Sequence, residues 1–164
     1  MAGEVEVRST GGVCARHGGG LGRATEVVAR EVAARTGSSY YAVIQPDGSR
    51  RHLPSTLFLP GVSDALDTFL HQVDTVLSVH GYGRDDDFWA VLVGGANRAL
   101  AHHVAGHLTG LLPEEYRAVD DVGAMPSTPR GLHPDNPVNR PPGGGAPAAL
   151  PPGARWTGDP TPGP

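Results

Sequence analysis

Two histidines, His17 and His80, each stand directly before a glycine, in His17-Gly18-Gly19-Gly20 and in His80-Gly81-Tyr82-Gly83. A neutral imidazole is a natural zinc ligand, and glycine lets the backbone approach an ion or a substrate closely. The competing reading is a pair of ordinary loop histidines, and spacing alone does not separate the two. His103 and His107 form a second pair, four apart as in helical zinc motifs. Val104-Ala105-Gly106 between them lacks the glutamate of the HExxH motif, so they read as histidines at the edge of a packing stripe. Cys14, three residues before His17, reads as a buried strand residue rather than a nucleophile.

Both glycine-flanked histidines sit where the pattern places strand ends. Residues 4–7 and 12–15 have strand character, with Ser9-Thr10-Gly11-Gly12 as a turn between them, and His17–Gly20 follows as a glycine-rich loop. From Arg23 to Arg35 the period becomes helical: Ala24, Val28 and Val32 recur at i+4, Val27 widens the stripe, and Gly37 is placed to stop the helix. Tyr40–Gln45 reads as a strand, and His52–Phe58 as an extended piece. Ser63 is an N-cap for a short helix carrying Leu66, Phe69 and Leu70. Val73–Val79 runs as a strand into His80, and Phe88–Val93 is another. Ala96–Leu112 is the clearest helix, with Leu100, Val104, Leu108 and Leu111 on one face, and Val119–Val122 is a short strand.

Strands alternating with helices, and strands that are almost continuously apolar, predict an α/β fold: a mixed, mostly parallel sheet covered on both faces. Functional groups in such sheets gather beyond the carboxyl ends of the strands, where His17 and His80 both fall. One α/β domain is expected over residues 1–140. Residues 141–164 hold eight of the 16 prolines and read as a Pro/Gly-rich, degenerate or disordered tail.

Composition removes several classes of function. The 164 residues carry a net charge of −4, and all 13 basic residues are arginine, with no basic run to neutralise nucleic-acid phosphates. No apolar stretch approaches the roughly 20 residues of a membrane span. The single cysteine and an opening without a signal-peptide pattern lead to the expectation of a cytoplasmic, monomeric protein with neither nucleic acid nor membrane as partner.

Three blocks stand in order along the chain: His17-Gly18-Gly19-Gly20-Leu21, Ser78-Val79-His80-Gly81-Tyr82-Gly83, and Gly131-Leu132-His133-Pro134-Asp135-Asn136-Pro137-Val138-Asn139-Arg140. With Gly94-Gly95-Ala96-Asn97-Arg98-Ala99-Leu100 and His52-Leu53-Pro54-Ser55, they are similar to successive segments of the poly-γ-glutamate hydrolase family. The similarity covers roughly residues 12–152. That resemblance implies a three-layer α/β/α fold like that of the zinc carboxypeptidases, here apparently without the last helix. It implies one zinc on two histidines and a glutamate, and a second glutamate on a late strand as general base. The implied substrate is the γ-linked polyglutamate of bacterial capsules and biofilms, a polyanionic γ-glutamyl peptide cut by metal-activated water.

On this resemblance His17 and His80 match the histidine ligands, and their ring nitrogens must come within about 3–4 Å to share one tetrahedral ion. The ligand glutamate is replaced by Gly22 and the general base by Ala149, so no residue here matches the base and zinc is expected to bind weakly or not at all. The alternative function is then a catalytically degenerate member that binds without cleaving. Glu26, or Asp85, Asp86 and Asp87, could stand in for the missing acids, although a first-turn glutamate and an aspartate run are more simply solvated groups. Arg84, Arg98, Asn136, Asn139 and Arg140 fall in or beside the similar blocks and are the candidate substrate contacts. Loop capping is the competing role for the asparagines.

Overall fold

The computed structural model describes residues 2–19, 24–46, 54–83 and 88–155. Within them seven strands form one sheet: β1 (Ala2–Glu6), β2 (Gly11–Gly19), β3 (Ser39–Gln45), β4 (Thr75–Gly81), β5 (Ala90–Val93), β6 (Arg117–Val119) and β7 (Gly145–Leu150). Their spatial order is β1-β3-β2-β4-β7-β5-β6. β2 is parallel to β3 and β4, β4 to β7, and β5 to β6, whereas β1 and β5 run antiparallel to β3 and β7. The sheet is therefore mixed and mostly parallel, as the alternation predicts. The turn at residues 9–12 does not join a hairpin, because β1 pairs with β3 and not with β2.

Three helices cover the sheet: α1 (Thr25–Thr36), α2 (Asp64–Gln72) and α3 (Arg98–Leu111). On one face Val13, Ala15, Tyr40 and Ala42 pack against Ala29 and Ala33 of α1, while Val91, Val93 and Ala146 meet Ala101 and Ala105 of α3. Leu150 touches both clusters, which places α1 and α3 on the same side. On the other face Cys14, Tyr41, Val43 and Val76 meet Leu66 and Phe69 of α2 together with Val138, and farther along Ala90, Leu92 and Ala149 meet Met125.

Local chemistry explains most of the boundaries. The Ser63 hydroxyl accepts from the Leu66 N–H at 3.2 Å to start α2, and the Asn97 side chain accepts from the Leu100 N–H at 2.9 Å to start α3. Gly37, at φ 67°, ends α1 by donating its N–H to the Ala33 carbonyl. The expected stripes are shifted, however. Val27 and Leu111 are exposed, and the buried positions are Thr25 and four alanines (Ala29, Ala33, Ala101, Ala105), because both helices lie close to the sheet across small side chains. Residues 55–57 form a 3-10 turn rather than an extended piece.

The largest departure concerns the segment read as a tail. Gly145–Leu150 is not at the margin of the fold; it is a central strand between β4 and β5. Two physical facts allow it. Small residues fit the narrow slot: a Cβ on Gly145 would lie 2.3 Å from the Val76 carbonyl and 2.5 Å from that of Val138. The donor that Pro147 lacks would point toward β5 at the place where that strand has ended, and its carbonyl accepts from the Gly94 N–H at 3.0 Å. The Pro147 ring fills the space over Gly95 (φ 95°) and Gly131 (φ 64°), where a Cβ would meet it at 2.8 Å and 2.4 Å.

Candidate functional site

β2, β4 and β7 end together, and their side chains on the α2 face converge. Parallel pairing sets Cys14 beside Ser78, so two residues on, Arg16 is due beside His80. An irregularity intervenes. Between Ala15 and Gly18 the chain advances three residues while the partner advances two, from Ala42 to Ile44. This β-bulge turns one extra side chain to the α2 face, and His17 joins Arg16 there. His17 is thus held in an ordered strand rather than in a loop.

His17 Nδ1 lies 2.8 Å from His80 Nε2, with ring centroids 4.7 Å apart and planes at 88°. The two rings therefore meet as the resemblance requires, slightly closer than a shared ion would hold them. Ala149 is the register partner of His80 on β7, so the late-strand position lies next to the imidazole pair and carries only a methyl group. Ala149 is buried, packed against Ala90, Leu92 and Met125.

A catalytic zinc needs three protein ligands. Among the described residues no three His, Cys, Asp or Glu side chains come together. Glu26 packs over the opposite side of β2, where a Cβ on Gly18 would lie 2.8 Å from its Cβ, and its Oε2 is buried without a hydrogen-bond partner. It does not complete the centre. Gly22, Arg84 and Asp85–Asp87 lie outside the described residues, and Gly22 offers no side chain in any case. The donor set among the described residues does not fit a catalytic zinc.

The candidate substrate contacts divide. Arg98 donates Nη1 to the Gly95 carbonyl at 3.3 Å and Nη2 to the Asp120 carbonyl, so its guanidinium ties α3 to β6 and the turn after β5. Asn139 accepts from the Ala96 N–H and donates to the Gly131 and His133 carbonyls, closing the loop before β7. Both are engaged by the protein's own backbone, the loop-capping role. Arg140 reaches Asp135 at 3.3 Å. Asn136 belongs to the site: buried, it accepts from Arg16 Nη1 at 3.1 Å. His103 and His107 are both exposed on α3, with ring centroids 4.5 Å apart, and not at a packing edge.

Sequence reasoning missed Arg16 and Phe58. The Arg16 guanidinium lies 5.8 Å from the Phe58 ring centroid, and the His17 ring meets the same phenyl edge-on at 6.1 Å. Burial pushes the Arg16 guanidinium below its usual value, and burial pushes the Cys14 thiol up, so neither Cys14 nor Tyr41 supplies an anion at neutral pH. A charged residue ending a buried strand, directly before His17, was the available signal.

A mixed sheet between helices, with a histidine pair at the carboxyl ends of its central strands, defines a three-layer domain of the zinc-carboxypeptidase type. A family model described as poly-gamma-glutamate hydrolase matches residues 3–146, and the chain belongs to that family. Among solved structures it is similar to a bacteriophage poly-gamma-glutamate hydrolase, at 25% identity and a TM-score of 0.72, covering 94% of this chain and 72% of that one. It is equally similar to YNDL in its apo, zinc-free form, at 25% identity and 0.72, over 93% and 73% of the two chains. No curated protein matches it. No helix among the described residues is long and apolar enough to cross a membrane.

Proposed function

We propose that this chain binds the γ-glutamyl polymer on which its family acts and does not hydrolyse it efficiently. The observation that carries this reading is the pairing of His80 with Ala149. The position beside the imidazole pair, which the family resemblance gives to the general base, is a buried methyl. A methyl can neither accept the proton of an attacking water nor hold that water in place. The ligand position is Gly22, so the family's two acids are absent together. What is present is the bulged β2 and the His17–His80 pair, and Arg84 and Arg140 are proposed as outer contacts to the polymer. The free, buried Cys14 is compatible with a reducing compartment such as the cytoplasm, which we propose as its location.

A working zinc amidohydrolase is the competing reading, favoured by the 2.8 Å approach of the two histidines. It requires a carboxylate from outside the described residues, with Asp85–Asp87 as the nearest source in sequence. Retention of the purified chain on immobilised γ-polyglutamate, with α-linked polyglutamate as control, tests the binding claim. Selective retention on the γ-linked polymer is expected. Equal behaviour on both polymers would remove the proposal.

A further inference from the structure

Arg16 is 2% exposed and lies among Cys14, Tyr41, Phe58 and Asn136, each 5% exposed or less. Among the described residues its guanidinium makes a single hydrogen bond, Nη1 to the Asn136 amide oxygen. Nε is buried without a partner, and no carboxylate among the described residues forms an ion pair with the guanidinium. Six other arginines behave differently: Arg8, Arg30, Arg35 and Arg140 pair with acids, and Arg98 and Arg130 spend their donors on carbonyls.

A buried, unpaired cation is among the most destabilising arrangements a core can hold, because desolvation is not offset by an opposite charge. The Phe58 face and one amide oxygen offset part of it. Apolar residues of similar length would fill the same space at lower cost. The bulge makes the contrast sharper, since it already delivers His17 to this face without needing a charge at position 16.

We propose that Arg16 is the carboxylate-recognition residue of this site, and that the counter-ion it lacks is an α-carboxylate of a bound γ-glutamyl chain. In a γ-linked polymer the amide runs through the side-chain carboxyl, so every residue presents a free α-carboxylate, and guanidinium is the side chain whose planar fork matches that group. Asn136 fixes the fork through Nη1, leaving Nε and its neighbour to the ligand. Phe58, which follows the Ser55–Leu57 turn, covers the guanidinium face and must shift for the ligand to enter. This assignment rests on the proposed binding of γ-glutamyl polymer and names the contact that makes it selective.

The test uses the full chain and a γ-linked pentaglutamate in isothermal titration, with the α-carboxamide form of the same peptide as the uncharged probe. Wild type should bind the carboxylate peptide and discriminate strongly against the carboxamide. Arg16→Met should weaken carboxylate binding by about thirtyfold or more, and Arg16→Lys by less, since it keeps the charge and loses the fork. Without ligand, Arg16→Met should melt higher than wild type, because an unpaired buried charge has been replaced by an apolar chain. A merely structural arginine would give the opposite shift. If wild type binds but Arg16→Met binds within threefold of it, or if wild type binds both peptides equally, Arg16 is not the recognition residue. The peptide comparison can refute the assignment even where Arg16→Met fails to fold, and Arg16→Lys then supplies the variant arm. Absence of any binding by wild type would instead defeat the underlying functional reading.

Discussion

Ala149→Glu restores the family's acid at its register position, and the structure sets what that restoration costs. Residue 149 is 4% exposed, pinned between His80 on β4 and Leu92 on β5 and packed on Ala90 and Met125. Forcing a longer side chain into a filled core costs about 1–3 kcal/mol. A carboxylate there also gives up hydration, partly regained through a hydrogen bond to His80, so a total loss of about 2–4 kcal/mol is expected. For a domain of this size each kcal/mol shifts Tm by roughly 2–4 °C, giving a drop of about 4–16 °C in a calorimetric scan. The same variant, assayed by viscosity on γ-polyglutamate with added zinc, should remain inactive. A general base contributes about 10²–10⁴-fold only when there is an activated water to deprotonate. Together with Gly22→Glu it should recover part of the activity. An Ala149→Glu protein that melts with wild type would show the slot to be open. One that cleaves the polymer alone would show the metal centre to be complete without residue 22.

Three further outcomes follow from the same structure. Wild type should bind zinc weakly, because the imidazoles must part from 2.8 Å to about 3.3 Å and lose their mutual hydrogen bond for a two-ligand site. Gly22→Glu should tighten zinc by at least about tenfold in titration, as a third, anionic ligand requires, and a full equivalent co-purifying with wild type would contradict this. Gly145→Ala should cost about 3 kcal/mol or more in urea unfolding, since its Cβ would lie 2.3 Å and 2.5 Å from two carbonyl oxygens. A near-neutral result would mean that β7 is not held in the centre of the sheet. Burial raises the Tyr40 phenol to about 12. A raised acid stabilises the fold below the unfolded value near 10 and loses that contribution as pH climbs through the folded one. Stability should therefore fall between about pH 10 and 12, with absorbance at 295 nm tracking the phenolate, and Tyr40→Phe should flatten that limb.

Much of the framework could be read from the residues. Ser63 and Gly37 marked helix ends by capping chemistry, and the apolar runs at 40–45, 73–79 and 88–93 marked buried strands, the last two beginning two residues later, at Thr75 and Ala90. Residues 145–150 could not be read in this way. Proline and alanine argue against a strand, and the slot that favours them exists only once Val76, Val138 and Gly95 surround it. The histidine pair was legible as to type but not as to mechanism. His17 reaches His80 through a β-bulge, a register irregularity set by the partner strand and invisible along one chain. Arg16 was overlooked for the same reason. Strict alternation would have placed it and His17 on opposite faces. The helix stripes misled where close helix–sheet approach selected alanines and left Val27 and Leu111 outside.

The central claim, binding without efficient cleavage, is tested most directly by the length of the polymer itself. Unmodified protein at stoichiometric concentration is incubated with γ-polyglutamate and zinc, with and without chelator, and polymer size is followed by size-exclusion chromatography with light scattering. The account predicts protein co-eluting with a polymer whose mass is unchanged in either condition. Progressive shortening that chelator abolishes would contradict it and would point to acids other than positions 22 and 149.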